Sequence, residues 1–207
     1  QQLQYEFLLQ GLYVFTYNIC NATLFGPFLI SLLHPPSPEI SPSKGQSNQR
    51  GLAPTFLLYT RNNARNPERL RWNDSGGSLR SQYFNGGQDT KLIGLVFYRL
   101  KRSDVKRLVI VFIFPVHGFI DSPSLGEWMT TMKDRFLSVA PMNVIIVDWS
   151  NANQFPYGRA VANSRQVGRM VGQMIRSLGA SRNSSPSQFH ILGHSLGAHV
   201  AGKEVMK

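Results

Sequence analysis

The chain has 207 residues, enough for one sizeable domain. With 42% hydrophobic and 16% charged residues it has a globular composition, which excludes a disordered or fibrous chain. Its net charge of +11 would suit nucleic acid or an anionic surface, but the basic residues are scattered from Arg61 to Arg176 with no DNA- or RNA-binding motif, so nucleic acid is set aside as a partner. A single cysteine, Cys20, excludes an internal disulfide framework.

The first residue is Gln, and the expectation is that the true start lies upstream. Residues 1–33 form an apolar segment, interrupted by Gln10, Asn18, Asn21, Gly26 and Pro27 and so unable to span a membrane as a helix. Two readings stay open here: Phe7 to Thr16 as the core of a signal peptide, or a buried N-terminal segment. Asn21, Asn73 and Asn183 each begin a glycosylation triplet, which is compatible with secretion.

Residues 34–207 read as one unit. His34 to Gly51 is a Pro- and Ser-rich loop, and Thr55 to Thr60 is a β-branched and aromatic strand. Arg61 to Gln88 is polar loop with room for one short strand. Ser124 to Val139 has Trp128, Met129, Met132 and Phe136 at helical spacing, with Ser124 as the expected cap and Glu127 three residues on. Asn143 to Val147 is apolar without alternation, as in a parallel strand buried on both faces. From Tyr157 to Leu178 apolar residues recur every three or four positions, giving an amphipathic helix that Gly179 should close. Phe189 to Leu192 is the next strand and Leu196 starts the next helix. Strands alternating with helices of this length predict an α/β fold, a parallel sheet covered on both faces.

GHSLG, Gly193 to Gly197, lies where that last strand runs into that last helix. A serine on such a strand–turn–helix is built as a nucleophile: the turn strains its backbone, the flanking Gly193 and Gly197 avoid collisions, and the hydroxyl stands over a helix N-terminus. His194 fills the remaining position of the motif. In an α/β-hydrolase the amide after the nucleophile, here Leu196, is one oxyanion donor. The loop after an early strand supplies the other, and His117-Gly118-Phe119 places it at Phe119. His117 is read as holding that loop by hydrogen bonds, with no catalytic role.

VHGFIDS at Val116 to Ser122, NVIIVDWS at Asn143 to Ser150, the helix with Tyr157, Asn163 and Val167-Gly168, and GHSLGAHVAG together resemble the pancreatic lipase family. TFLLYTR at Thr55 to Arg61, after FGPFLISLLHPPSPEI, fits the same family's entry segment, so the likeness covers most of residues 25–202. It implies an α/β-hydrolase fold, here the N-terminal part of a catalytic domain cut off after the elbow helix. It also implies a secreted, extracellular carboxylic-ester hydrolase acting on lipids at a membrane or lipid-droplet interface, as a triacylglycerol lipase or a phospholipase A1. No cofactor or metal is implied, and nothing fixes the oligomeric state. The alternative is a non-catalytic lipid-binding or storage relative on the same fold.

Three departures accompany the likeness. The triad runs Ser, acid, His in this fold, yet only Glu204 follows Ser195 as an acid. His199, one turn further along the same helix, cannot reach back as the base, so the triad Asp and His are expected outside this chain. Second, residues 94–115, GLVFYRLKRSDVKRLVIVFIFP, separate Ile93 from Val116, carry five basic residues and one acid, and read as an aberrant insertion of retained-intron type. The rival reading of that stretch is a genuine strand hairpin at Leu95–Leu100 and Arg107–Phe114. Third, Glu204 to Lys207 does not continue in the family manner.

Overall fold

The computed structural model describes residues 51–70, 81–84 and 112–202, together with the backbone of 14–18 and 21–25. Seven strands form one sheet: β1 (Val14–Asn18), β2 (Asn21–Phe25), β3 (Thr55–Tyr59), β4 (Glu68–Leu70), β5 (Phe112–Val116), β6 (Asn143–Asp148) and β7 (Phe189–His194), in the order β2-β1-β7-β5-β6-β3-β4. Among the described residues three α-helices follow strands: α1 (Glu127–Val139) after β5, α2 (Tyr157–Arg182) after β6, and α3 (Leu196–Val200) after β7. The centre is parallel, β5 lying between β6 and β7, while β3 joins β6 and β1 joins β7 antiparallel.

The side-chain alternation of these strands divides the core in two. Phe112, Phe114 and Val116 of β5, Ile145 and Val147 of β6, and Phe189 and Ile191 of β7 share one cluster with Val167, Val171, Met174 and Leu178 of α2. Their neighbours Ile113, Val144 and Leu192 meet Met132, Phe136 and Leu137 of α1 on the opposite face. The chain leaves β5 for β6 through α1 and then crosses to the other side of β5 through α2. Right-handed crossovers in opposite directions put the two helices on opposite faces. A crevice therefore opens at the carboxyl ends of β5 and β7, where the chain reverses direction.

The structure corrects two helix boundaries. Ser124 does not cap α1, whose N-cap is Gly126. Leu125 and Gly126 donate their amides to Ser122 O at 3.1 and 3.0 Å, and the Ser124 hydroxyl pairs with that of Ser122 at 2.9 Å, so a tight turn occupies these groups before the helix begins. Gly179 does not close α2, which runs on to Arg182. The left-handed residue is Asn183, at φ 50°, and its N–H returns to Gly179 O. Asparagine tolerates that conformation well enough to serve as the cap.

Residues 112–115 fall within the stretch expected to be an insertion, yet they form most of β5. Phe112, Ile113 and Phe114 are buried, and Phe112 stacks on Phe189 with ring centroids 4.8 Å apart. The proposed hairpin strand at Leu95–Leu100 and the basic turn lie outside the described residues. At the N-terminus, the backbone of 14–18 pairs with β7 from Val14↔His194 to Asn18↔His190. Most of the stretch Phe7 to Thr16 read as a signal-peptide core, and Cys20, lie outside the described residues.

The packing of β5 and β7 makes two outcomes measurable. Deleting 94–115 would bring Thr90-Lys91-Leu92-Ile93 to the places of Phe112 to Pro115, setting a lysine where Ile113 is buried. In this frame the deleted chain should be less stable by roughly 3 kcal/mol or more, from lost packing and a buried amine. Urea unfolding of both chains decides it, and a more stable deletion chain would restore the segment to the status of an intruder. The second concerns His190 on β7, whose pKa burial lowers from 6.5 to about 4. Its neutral form is the one the fold favours, so stability is complete above pH 6.5 and is lost as the pH falls from there toward 4. The loss should be on the order of 3 kcal/mol. Melting curves across this range should show it, and His190→Gln should flatten the slope.

Candidate active site

Ser195 stands between β7 and α3, exposed, with φ 52° and ψ −124°. Only close packing sustains such a conformation in a residue with a side chain. A methyl group on Gly193 would come within 2.5 Å of Gly197 O and 2.6 Å of Ala198 Cα. One on Gly197 would strike the carbonyl oxygens of Val116 and His117. The two glycines thus let α3 sit directly against the end of β5, as the motif predicts.

That contact brings the β5 loop to the serine. A methyl group on Gly118 would lie 2.9 Å from Ser195 Cβ and 3.3 Å from its Oγ. Phe119 follows, its ring edge-on to Phe155 and Tyr157 at 5.1 and 4.9 Å. Among the described residues neither the Phe119 amide nor Ser195 Oγ makes a hydrogen bond. Leu196, the first residue of α3, has no preceding turn to accept its N–H.

His117 is wholly buried at the start of the loop that follows β5. Trp149 N donates to Nε2 at 3.1 Å, and Asp148 Oδ1 lies 3.3 Å from the same nitrogen. On the other side of the ring Nδ1 lies 3.2 Å from Gly118 O and 3.4 Å from Asn153 Nδ2. Trp149 Nε1 donates to His117 O at 2.8 Å, tying the end of β6 to the end of β5.

His194 is half-buried beside the Trp128 ring, 5.4 Å between centroids. Burial lowers its pKa, with the Asp121 carboxylate pulling the other way. Asp121 is held by Ser122 N at 2.7 Å and by Trp128 Nε1 at 3.1 Å. His199 is exposed one turn beyond the serine and is not hydrogen-bonded to Ser195 Oγ. Among the described residues no three His, Cys, Asp or Glu are grouped to hold a metal ion.

Sequence reasoning missed Asn153. Fully buried, it donates Nδ2 to Gly118 O at 2.7 Å and to Asp121 O at 2.8 Å, and its backbone carbonyl accepts Ile120 N at 3.3 Å. Nothing in the local pattern marks it, because all these partners come from another segment.

The steric argument predicts that Gly193→Ala or Gly197→Ala destabilises the chain by about 3 kcal/mol or more, since backbone and not a mobile side chain must give way. Gly158→Ala, where a methyl group would meet open space, should change stability by less than about 0.5 kcal/mol. Thermal denaturation of the three variants checks the contrast.

Residues 38–205 match the family model described as Lipase. The pancreatic triacylglycerol lipase of Equus caballus is 35% identical over 150 residues, 72% of this chain and 27% of that protein. The inactive pancreatic lipase-related protein 1 of Canis lupus familiaris is also 35% identical, with the same coverage. Pancreatic lipase-related protein 2 of Cavia porcellus is 30% identical over 76% of this chain and 31% of its own length. The chain therefore spans under a third of the relatives it matches. The strained serine on its strand–turn–helix, the parallel β6-β5-β7 centre with helices on both faces, and these matches agree: the chain belongs to the pancreatic lipase family and carries part of an α/β-hydrolase fold.

Proposed function

We propose that this chain carries the nucleophile half of a serine hydrolase site for lipid esters. The observation that carries the reading is Ser195 itself: exposed at the carboxyl edge of the sheet, at φ 52°, and seated against the Gly118 backbone. In the proposed reaction Ser195 Oγ attacks the ester carbonyl carbon, the alcohol leaves, and water then hydrolyses the acyl-enzyme. The N–H groups of Phe119 and Leu196 receive the negative charge on the carbonyl oxygen. Gly193, His194, Gly197, His117 and Gly118 shape and support the site.

A lipid substrate agrees with the apolar residues packed on Phe119. Phe155 is 67% exposed and Tyr157 is also exposed, and both rings meet the Phe119 ring at 5.1 and 4.9 Å. Apolar side chains left in water favour an acyl chain or a lipid surface over a polar substrate. The family relation supports an ester hydrolase working outside the cell at a lipid interface; the choice between triacylglycerol and phospholipid is not assigned.

The fold orders its triad Ser, acid, His, and after Ser195 this sequence has only His199 and Glu204, neither able to complete it, so we assign the triad acid and histidine to sequence outside this chain. A second reading, a non-catalytic lipid-binding relative, draws on the inactive lipase-related proteins among the matches. One experiment separates them. The chain as given should show no turnover of a short-chain nitrophenyl ester above a Ser195→Ala control. A longer form that hydrolyses lipid esters should lose about 4–8 kcal/mol of transition-state stabilisation on Ser195→Ala, with binding little changed. A longer form that binds lipid without hydrolysing it would establish the second reading. Activity kept within about tenfold in the mutant would remove Ser195 from the chemistry.

A further inference from the structure

The loop from Gly118 to Asp121 is under visible strain. Ile120, a β-branched residue, sits at φ 49°, where branched side chains are genuine outliers. Such a conformation persists only when its surroundings over-determine it. The surroundings here are one buried residue. Asn153 Nδ2 bonds the carbonyl on each side of the strained turn, Gly118 O at 2.7 Å and Asp121 O at 2.8 Å, while its backbone carbonyl takes the N–H of Ile120 itself at 3.3 Å. Its own orientation is also fixed. Gln154 Nε2 donates to Asn153 Oδ1 at 2.8 Å, which leaves Nδ2 as the atom facing the loop.

The consequence lies in one peptide plane. Gly118 C=O and Phe119 N–H belong to the same peptide group, and that group is trans. In a trans peptide the carbonyl and the N–H point in opposite directions. Asn153 Nδ2 holds the Gly118 oxygen on the buried side, with His117 Nδ1 3.2 Å from the same oxygen. The N–H of Phe119 then faces away from Asn153, and Gly118 beside it is packed against Ser195.

We propose that Asn153 is a positioning residue for the Phe119 amide: by clamping the 118–121 loop at both ends it turns the 118–119 peptide so that its N–H faces the crevice at Ser195. The proposal deepens the reading of Phe119 as an oxyanion donor and rests on it. Asn153 touches no substrate. It acts through the peptide it holds.

The test uses the full chain, labelled with nitrogen-15, as wild type, Asn153→Asp and Gln154→Ala. Aspartate keeps the size of asparagine and loses both donated hydrogen bonds. Gln154→Ala removes the bond that orients the Asn153 amide, along with an exposed bond to Ser150 O at 3.0 Å, and provides a variant that folds if the buried change does not. In Asn153→Asp the amide signals of Phe119 and Ile120 should shift or broaden and exchange with solvent at least tenfold faster, while that of Leu196 stays in place. Gln154→Ala should move the same signals less. Phosphonylation of Ser195 by a fluorophosphonate, which also forms a charged oxygen in the site, should slow roughly tenfold to a hundredfold in Asn153→Asp, less than the full loss of one donor would cost. Unchanged Phe119 and Ile120 signals in both variants would overturn the clamp. If those signals move while the phosphonylation rate stays constant, the clamp stands and Phe119 is no oxyanion donor. Because no base is bonded to Ser195 among the described residues, a wild type labelled no faster than Ser195→Ala agrees with the missing triad, and the amide signals then decide the clamp alone.

Discussion

Everything at this site depends on three stretches of backbone approaching more closely than side chains permit. The ends of β5 and β7 and the start of α3 meet at Gly118, Gly193 and Gly197, and at each of these a single methyl group would overlap neighbouring atoms. This contact is what places the peptide groups of the β5 loop beside the serine. It also explains why the strain at Ser195 is tolerated: the residue cannot relax without driving α3 away from β5. The cost of one unfavourable backbone angle, about 1–3 kcal/mol, is small against the packing it would disrupt.

Around that contact, burial is graded for purpose. The β5 positions are all buried, and the layers above and below are apolar, so the strand ends are fixed. At the carboxyl edge the buried polar groups His117, Trp149 and Asn153 bond chiefly to backbone of neighbouring segments. Trp149 and Asn153 are donors whose partners were left unpaired when a strand ended. Burying such carbonyls without a donor would cost roughly 1–3 kcal/mol apiece. The same bonds that satisfy the loop therefore also determine which way its amides point.

The layered fold and the elbow were legible in the sequence because both rest on local signals. The continuous apolar run at Asn143 to Val147 and the helical spacing from Tyr157 to Leu178 each state their own structure, and the glycines of GHSLG state theirs. Helix ends were less legible, since Ser124 and Gly179 have the right residue types and lost to turn and cap bonds made by Ser122 and Asn183. β5 was hard to read for a related reason. An apolar run that departs from a family pattern looks foreign until its register beside β6 and β7 is seen. Asn153 was invisible, because an asparagine in a polar loop gives no pattern, and its three bonds exist only once two distant loops are folded together.

The outer edge of β7 has a bearing on how this chain is made. Its partner there is β1, so Val14 must find His194 and Asn18 must find His190, joining the first strand described to the last. The parallel pairs of β5 with β6 and with β7 close much shorter loops. Closing a longer loop costs more chain entropy, and contacts so distant in sequence form slowly. During synthesis the hairpin of β1 and β2 is made long before β7 and must wait for it. For that interval it exposes an unpaired strand edge, the kind of surface on which chains associate with one another. Misassembly is thus most open to the nascent chain between the making of β1 and the arrival of β7.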